Sequence, residues 1–119
     1  MRPLVIAGLV GLCMAVASCR RPAYADPDAA DRGSIVIGQQ QCGSCHVIPG
    51  IPNADGIAGP PLGGIARRSM IAGVIPNTPG GLITWLRTPQ AVVPGNAMPD
   101  MGLSEQQARD VAAYLDTLQ

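Results

Sequence analysis

Lysine and phenylalanine are absent from this sequence, and histidine occurs only once, at position 46. The charge comes from eight arginines and eight acidic residues, which give a formal net charge of zero. A nucleic-acid-binding protein needs a concentrated basic surface, so this balance argues against that class. The low charge and the high apolar content also argue against an intrinsically disordered chain.

Aromatic residues are few as well, namely Trp85, Tyr24 and Tyr114. At 119 residues the chain is long enough for one domain at most. A domain of roughly 60–90 residues buries little apolar surface and often recruits a disulfide, a metal or a cofactor. We therefore expect a cofactor to supply part of the core. The twelve prolines and fifteen glycines indicate that much of the fold is ordered loop.

The N-terminal segment is predicted to be a processing signal. Its apolar run at 3–17 is too short to span a bilayer comfortably. The run ends at "VASC", and small residues directly before Cys19 are typical of a bacterial lipoprotein signal. We expect a lipoprotein signal peptide at 1–18 and a lipidated, proline-bearing linker at 19–30, which would anchor the protein to a membrane from the periplasm. The alternative is an ordinary secretory signal cut near Ala25.

The cysteines fit this interpretation. Cys13 would leave with the signal and Cys19 would carry the lipid. Cys42 and Cys45 then remain, with no partner for any other disulfide.

Residues 31–119 are predicted to form the folded domain, and no part of it has a persuasive strand pattern. The last predicted helix has the clearest pattern, because Ser104 and Gln107 form a capping box ahead of apolar residues at helical spacing. The first predicted helix has only a weak apolar periodicity, and we place its start after a possible N-cap at Asp31. Four helices are predicted, at about 32–41, 65–70, 81–88 and 105–118.

The motif "CGSCH" at 42–46 has three possible chemistries. A structural zinc site needs four ligands, and no second pair of Cys or His residues is present after the signal. A redox dithiol is usually placed on a strand-to-helix junction of a βαβ unit, and no such unit is predicted. Covalent haem attachment remains, with thioethers to Cys42 and Cys45 and with His46 under the iron.

The absence of other residues limits the choice of the second axial ligand of the iron. The chain has no second histidine and no lysine, so methionine is the leading candidate, and it would raise the reduction potential. The alternative is an open position that binds gases or peroxide. Met70 is expected to be a core or surface residue, whereas Met98 and Met101 both lie late in the chain. We favour Met98, on the loop "PGNAMPD", over Met101.

These residues together resemble the class I c-type cytochromes over about residues 31–119. The match rests on "CGSCH", on "GPPL" at 59–62, on "WLRTPQAVVPGNAMP" at 85–99 and on "VAAYL" in the last helix. It is most similar to the cytochrome c domain of subunit II of some haem–copper oxidases, here expected as a free-standing lipoprotein without a copper-binding domain. The resemblance implies an all-α fold of three to five helices around one covalent haem c, with long Pro/Gly-rich loops.

The resemblance also implies roles for individual residues. Pro60 would present its carbonyl oxygen to the His46 ring, which makes the ligand more basic. Arg68 would lie near a haem propionate, and Asn96 could donate a hydrogen bond to one. Trp85 would pack against the haem on the methionine side.

Three further features concern packing and partners. Gly33 and Tyr114 would mark a close crossing of the first and last helices. Ile37 stands where the family usually has phenylalanine. The absence of lysine puts in doubt the basic ring that steers many soluble cytochromes c to acidic partners, so membrane tethering would replace it.

The function we expect is that of an electron carrier and not of an enzyme. The acceptor would be a respiratory terminal oxidase, and the donor a membrane complex or a dehydrogenase. One alternative is the cytochrome subunit of a multi-component dehydrogenase or reductase. Another is an enzyme with a five-coordinate haem, for which no distal acid–base residue is visible; a haem sensor or an assembly factor is a third.

Overall fold

The computed structural model of the chain describes Tyr24 and residues 26–119. The predicted signal peptide at 1–18, the lipidation site Cys19 and most of the linker at 19–30 lie outside the described residues.

The first helix, α1, runs over Ala29–Gln39. It begins three residues before the predicted start, because Asp28 and not Asp31 is the N-cap residue. Asp31 lies inside the first turn, where a negative charge favours the positive end of the helix. The helix ends early because Gln41 adopts a left-handed backbone conformation with φ of 54°.

The middle of the chain differs most from prediction. In place of a helix at 65–70 there is a short 3-10 turn, Ile65–Arg67. It is followed by a small hairpin, in which β1 (Met70–Ile71) pairs antiparallel with β2 (Ile75–Pro76). The chain reverses through Ala72 and Gly73, which both have positive φ, the geometry that tight hairpins favour.

The second helix, α2, covers Pro79–Arg87, and Thr78 caps it by accepting a hydrogen bond from the Gly81 N–H at 3.0 Å. A short helix, α3, follows directly at Pro89–Val92, where the sequence predicted only loop. Proline is well suited to the first position of a helix, because its missing N–H has no partner there anyway.

The last helix, α4, spans Glu105–Asp116. The predicted capping box is confirmed: the Ser104 hydroxyl accepts from the Gln107 N–H at 3.1 Å, and the Gln107 side chain accepts from the Ser104 N–H at 2.9 Å.

Helices α1 and α4 cross at very short range. A Cβ atom on Gly33 would lie 2.0 Å from the Asp110 carbonyl oxygen and 3.1 Å from the Tyr114 Cβ. The predicted close crossing at Gly33 and Tyr114 is therefore confirmed. The sequence did not reveal the ion pair beside it, in which Arg32 binds both carboxylate oxygens of the buried Asp110, at 2.8 and 3.0 Å.

The hydrophobic core joins α1, α2 and α4 to the loops between them. Ile37, which stands in the place of the expected phenylalanine, is only 1 % exposed. In the part of the chain that the structure describes, four α-helices and one hairpin of two-residue strands confirm the predicted all-α class. Among the described residues, no helix is long and apolar enough to cross a membrane. The buried side chains include Val36, Ile37, Ile48, Leu82, Leu86, Ala108, Val111, Ala112 and Leu115.

Candidate haem site

The "CGSCH" motif lies on one tight turn directly after α1. A 3-10 turn covers Cys42–Ser44, and the N–H groups of Cys45 and His46 both donate to the Cys42 carbonyl oxygen, at 3.2 and 3.0 Å. Both cysteines are free thiols, Cys42 half-buried and Cys45 exposed. The turn therefore carries two thiols and an imidazole within five consecutive residues, as two thioether bonds and an adjacent axial ligand require.

The Cys42 thiol does not have the character of a nucleophilic cysteine in a redox dithiol. Burial raises the pKa of the Cys42 thiol, whereas a nucleophilic dithiol cysteine has a lowered pKa. The element before the motif is α1 and not a strand. Both observations favour the haem interpretation over the redox interpretation.

A second segment, residues 56–62, runs alongside the motif and is held to it by backbone hydrogen bonds. Gly56 donates to Gly43 at 2.9 Å, and Gly59 donates to Cys45 at 2.7 Å. Leu62 closes the pairing by donating to the Val47 carbonyl oxygen at 2.8 Å. The hydrogen bonds of Gly59 and Leu62 thereby fix the two residues between them, Pro60 and Pro61.

The His46 ring is oriented by this segment. Its Nδ1 donates to the Pro60 carbonyl oxygen at 2.7 Å, and a carbonyl can only accept, so Nδ1 carries the hydrogen. The lone pair of the ring is then on Nε2, the atom left for a metal. A Cβ on Gly59 would lie 2.3 Å from His46 Cε1, so only glycine allows the ring to take this position.

The loop that carries Met98 is built from two turns. Val93–Asn96 form a type II turn, with the Asn96 N–H donating to Val93 at 3.2 Å and with Gly95 at φ of 79°. The Asn96 side-chain oxygen then accepts from the Met98 N–H at 2.7 Å. Its amide hydrogens go to the carbonyl oxygens of Pro89 and Val93, at 2.9 and 2.7 Å.

These bonds change the interpretation of Asn96. Its two amide hydrogens both have backbone acceptors, so none is left for the propionate contact that the resemblance implied. Asn96 instead shapes the loop on which Met98 lies.

The other predicted residues lie as follows. Trp85 on α2, Met98 and Met101 are all partly buried against the core. Arg68 is exposed and donates to the Pro61 carbonyl oxygen at 2.5 Å, next to Pro60. The structure thus brings Arg68 to the segment that holds His46.

The donor set fits a covalently attached haem. Two free thiols adjoin an imidazole whose Nε2 is left without its hydrogen, and a methionine loop is already shaped by its own hydrogen bonds. Cys42, Cys45 and His46 would hold the group, with Met98 as the predicted second axial ligand.

Sequence reasoning missed two residues of this site, Gly59 and Gln90. Gln90 donates to the carbonyl oxygens of Asn96 and Met98 and so braces the methionine loop. For Gly59, the available signal was its place directly before "PPL". For Gln90, the sequence offered no signal, because its partners Asn96 and Met98 lie six and eight residues further on in a loop.

Comparisons with known proteins agree with this geometry. The family described as Cytochrome c matches residues 30–119. Cytochrome c oxidase subunit 2 of Alkalihalophilus pseudofirmus is 34 % identical over 90 residues, which cover 75 % of this chain and 25 % of that protein. Cytochrome c oxidase subunit 2 of Bacillus sp. (strain PS3) is 30 % identical over 105 residues, which cover 85 % of this chain and 29 % of that protein. The chain therefore spans 25 % of one relative and 29 % of the other, and no solved structure matches it significantly.

Proposed function

We propose, since this chain belongs to the cytochrome c family, that it is a membrane-tethered periplasmic electron carrier whose haem iron is held between His46 and Met98. The family brings covalently bound haem c and electron transfer with it. The haem supplies an iron that gains and loses one electron. What this chain contributes is attachment, ligand choice and orientation.

One observation supports the His46 assignment above all others, namely the 2.7 Å hydrogen bond from its Nδ1 to the Pro60 carbonyl oxygen. That bond fixes which nitrogen is free and holds the ring plane, and a carbonyl acceptor makes the free nitrogen a stronger donor to a metal. The loop of Met98 supplies the complementary feature, because the Met98 N–H donates to the Asn96 side chain at 2.7 Å, which holds its backbone in place. A carrier benefits from such fixed ligands, since little has to rearrange when the iron changes charge.

The proposed acceptor is a respiratory terminal oxidase, and the proposed donor is a membrane complex or a dehydrogenase. The support for the oxidase is that the two relatives are oxidase subunits and that this chain matches about a quarter of each. Arginine provides all the positive charge, so a lysine ring does not steer the encounter. Ile57, which is 92 % exposed, lies next to Gly56, and Gly56 is bonded to the motif. An apolar contact beside exposed Cys45 would suit a partner that is already close at the membrane.

The proposal is tested by mixing the reduced holoprotein with membranes that contain the terminal oxidase and following reoxidation of the haem optically. Reoxidation should be faster than that of free reduced dye, should stop with cyanide and should depend only weakly on salt. Reoxidation at the same rate in membranes from an oxidase deletion strain would contradict the oxidase assignment.

A further inference from the structure

We propose that Gln90 is the positioning residue of the methionine loop, and that it keeps small exogenous ligands from displacing Met98. This inference rests on the proposed function, because it takes Met98 to be the axial ligand. It concerns a different residue, however, and its test separates the two claims.

The first argument is that every polar atom of the Gln90 side chain is bound to the loop. Its Nε2 donates to the Asn96 carbonyl oxygen at 2.8 Å and to the Met98 carbonyl oxygen at 2.7 Å. Its Oε1 accepts from the Gly95 N–H at 3.1 Å. A surface glutamine would not be expected to satisfy both ends of its amide on one loop of this length.

The second argument is that Met98 is fixed on both sides of its Cα. Asn96 binds its N–H at 2.7 Å, and Gln90 binds its carbonyl oxygen at 2.7 Å. Neither bond involves the methionine sulfur. The side chain is therefore free to reach the iron, while its backbone has little freedom to move away.

The third argument is that the backbone of Gln90 is itself held in place. It belongs to α3, and the neighbouring Pro89 is among the most completely buried side chains of the described residues. The backbone N–H of Gln90 also donates to Asp100 Oδ1 at 3.2 Å, beyond Met98 in the chain. Gln90 thus connects α3 to the loop on both sides of Met98, through Asn96 before it and Asp100 after it.

As a consequence, Met98 should compete well against external ligands for the iron. An external ligand such as imidazole binds the iron only after the methionine leaves, and leaving is easier when the loop can open. Loss of the two Gln90 donor bonds should therefore raise the apparent affinity for imidazole by roughly tenfold or more.

The experiment uses full-length holoprotein in its ferric form. Imidazole is titrated into wild type, Gln90→Leu, Gln90→Glu and Gln106→Leu, and the weak red charge-transfer band of methionine-bound ferric haem is followed. Gln106→Leu is the matched control, since the side-chain hydrogen bond that it removes goes to Asp110 on α4 and not to the loop. Gln90→Glu keeps an acceptor for Gly95 but loses both donors, and it serves if Gln90→Leu fails to accumulate.

Gln90→Leu and Gln90→Glu should both retain the band without imidazole and lose it at roughly a tenth of the wild-type imidazole concentration or less. Gln106→Leu should titrate like wild type even where its melting temperature falls. Equal titration of the Gln90 variants and wild type would overturn the inference while leaving the proposed function intact. Absence of the band in wild type would instead overturn the methionine ligation of the proposed function.

Discussion

His46 depends on two neighbours that have no metal chemistry of their own. Pro60 decides through its carbonyl oxygen which ring nitrogen carries the hydrogen, and Gly59 leaves the space in which the ring lies. A Cβ at Gly59 would come within 2.9 Å of three ring atoms, whereas one at Gly63 would meet only Pro49 Cγ at 3.5 Å. The same substitution at the two glycines should therefore have very different results.

Gly59→Ala should tilt the His46 ring or push the 56–62 segment away from it, at a cost of about 1–3 kcal/mol in the free energy of unfolding. We expect a lower haem content per chain and a shifted reduction potential. Haem content by pyridine haemochrome absorbance and potentiometric titration measure these changes. Gly63→Ala is the control and should match wild type in both; equal behaviour of the two variants would contradict this role of Gly59.

The residues of the site differ in how far the sequence reveals them. Cys42, Cys45 and His46 are readable because their chemistry depends on spacing within a single turn. The sequence identifies Asn96 as a candidate site residue. Its hydrogen bonds to Pro89 and Val93 depend on how the loop folds back on α3, so its role in shaping the loop could not be predicted. The role of Gln90 cannot be predicted from the sequence, because its hydrogen bonds exist only once the loop is formed.

At the scale of elements, the packing of α1 on α4 holds the motif in place, since Cys42 follows α1 almost directly. The close approach needs a residue without a side chain at Gly33, where a Cβ would lie 2.0 Å from the Asp110 carbonyl oxygen. Gly38 in the same helix has nothing within 4 Å of the corresponding position.

Gly33→Ala should separate the two helices and destabilise the protein by about 1–3 kcal/mol or more, because the clash is with backbone that cannot turn aside. Gly38→Ala should be neutral or slightly stabilising, since alanine is the better helix former. Urea unfolding followed by circular dichroism compares them. A Gly33→Ala variant as stable as Gly38→Ala would show that the crossing is looser than described.

The ion pair beside the crossing predicts a dependence on pH. The Arg32 guanidinium holds the pKa of Asp110 below its ordinary value, so the folded form is favoured by the charged carboxylate. That contribution is complete at neutral pH and is lost as the pH falls below about 4 and through the folded-state pKa. Asp110→Asn should therefore cost about 2 kcal/mol at pH 7 and less in acid.

The matched control is Asp26→Asn, because Asp26 binds the same Arg32 at 2.7 Å but is exposed. Its effect on the free energy of unfolding should be much smaller than that of Asp110→Asn, since exposed ion pairs contribute little. The measurement is a set of unfolding curves between about pH 2.5 and pH 7, which covers the range in which carboxylates titrate. An equal loss in the two variants would argue against a special role for the buried partner.

The elements that the sequence predicts well are those whose signals are local. The capping box of Ser104 and Gln107 places the start of α4 correctly. The start of α1 was predicted three residues too late, because Asp31 lies inside the first turn and Asp28 is the N-cap residue. The hairpin was missed because two-residue strands leave no alternating pattern, and its turn uses Ala72 in a conformation that alanine rarely adopts.

At the scale of the whole molecule, the predicted linker at 19–30 includes one residue, Tyr24, that contacts the folded domain. Tyr24 packs against the core, where burial and, to a lesser degree, Asp116 raise its pKa to about 12. Cys19 stands five positions earlier, which at full extension reaches roughly 18 Å. A lipid on Cys19 would therefore keep the domain close to the membrane surface.

Cys19→Ala should release the protein from membranes, because lipid on that cysteine is the anchor in this account. Fractionation of cells by centrifugation, with haem staining of the membrane and soluble fractions, provides the measurement. Gel mobility should change as well, since the acyl chains are lost. Unchanged membrane association of Cys19→Ala would contradict the lipid anchor, and the ordinary secretory signal would become the better interpretation.

The central claim is that the iron has His46 on one face and Met98 on the other. The most direct measurement is the weak red charge-transfer band of the ferric holoprotein, recorded for wild type, Met98→Leu and Met101→Leu. The account predicts that the band is present in wild type, absent in Met98→Leu and retained in Met101→Leu. A band that is missing from wild type, or that disappears with Met101→Leu and survives Met98→Leu, would contradict it.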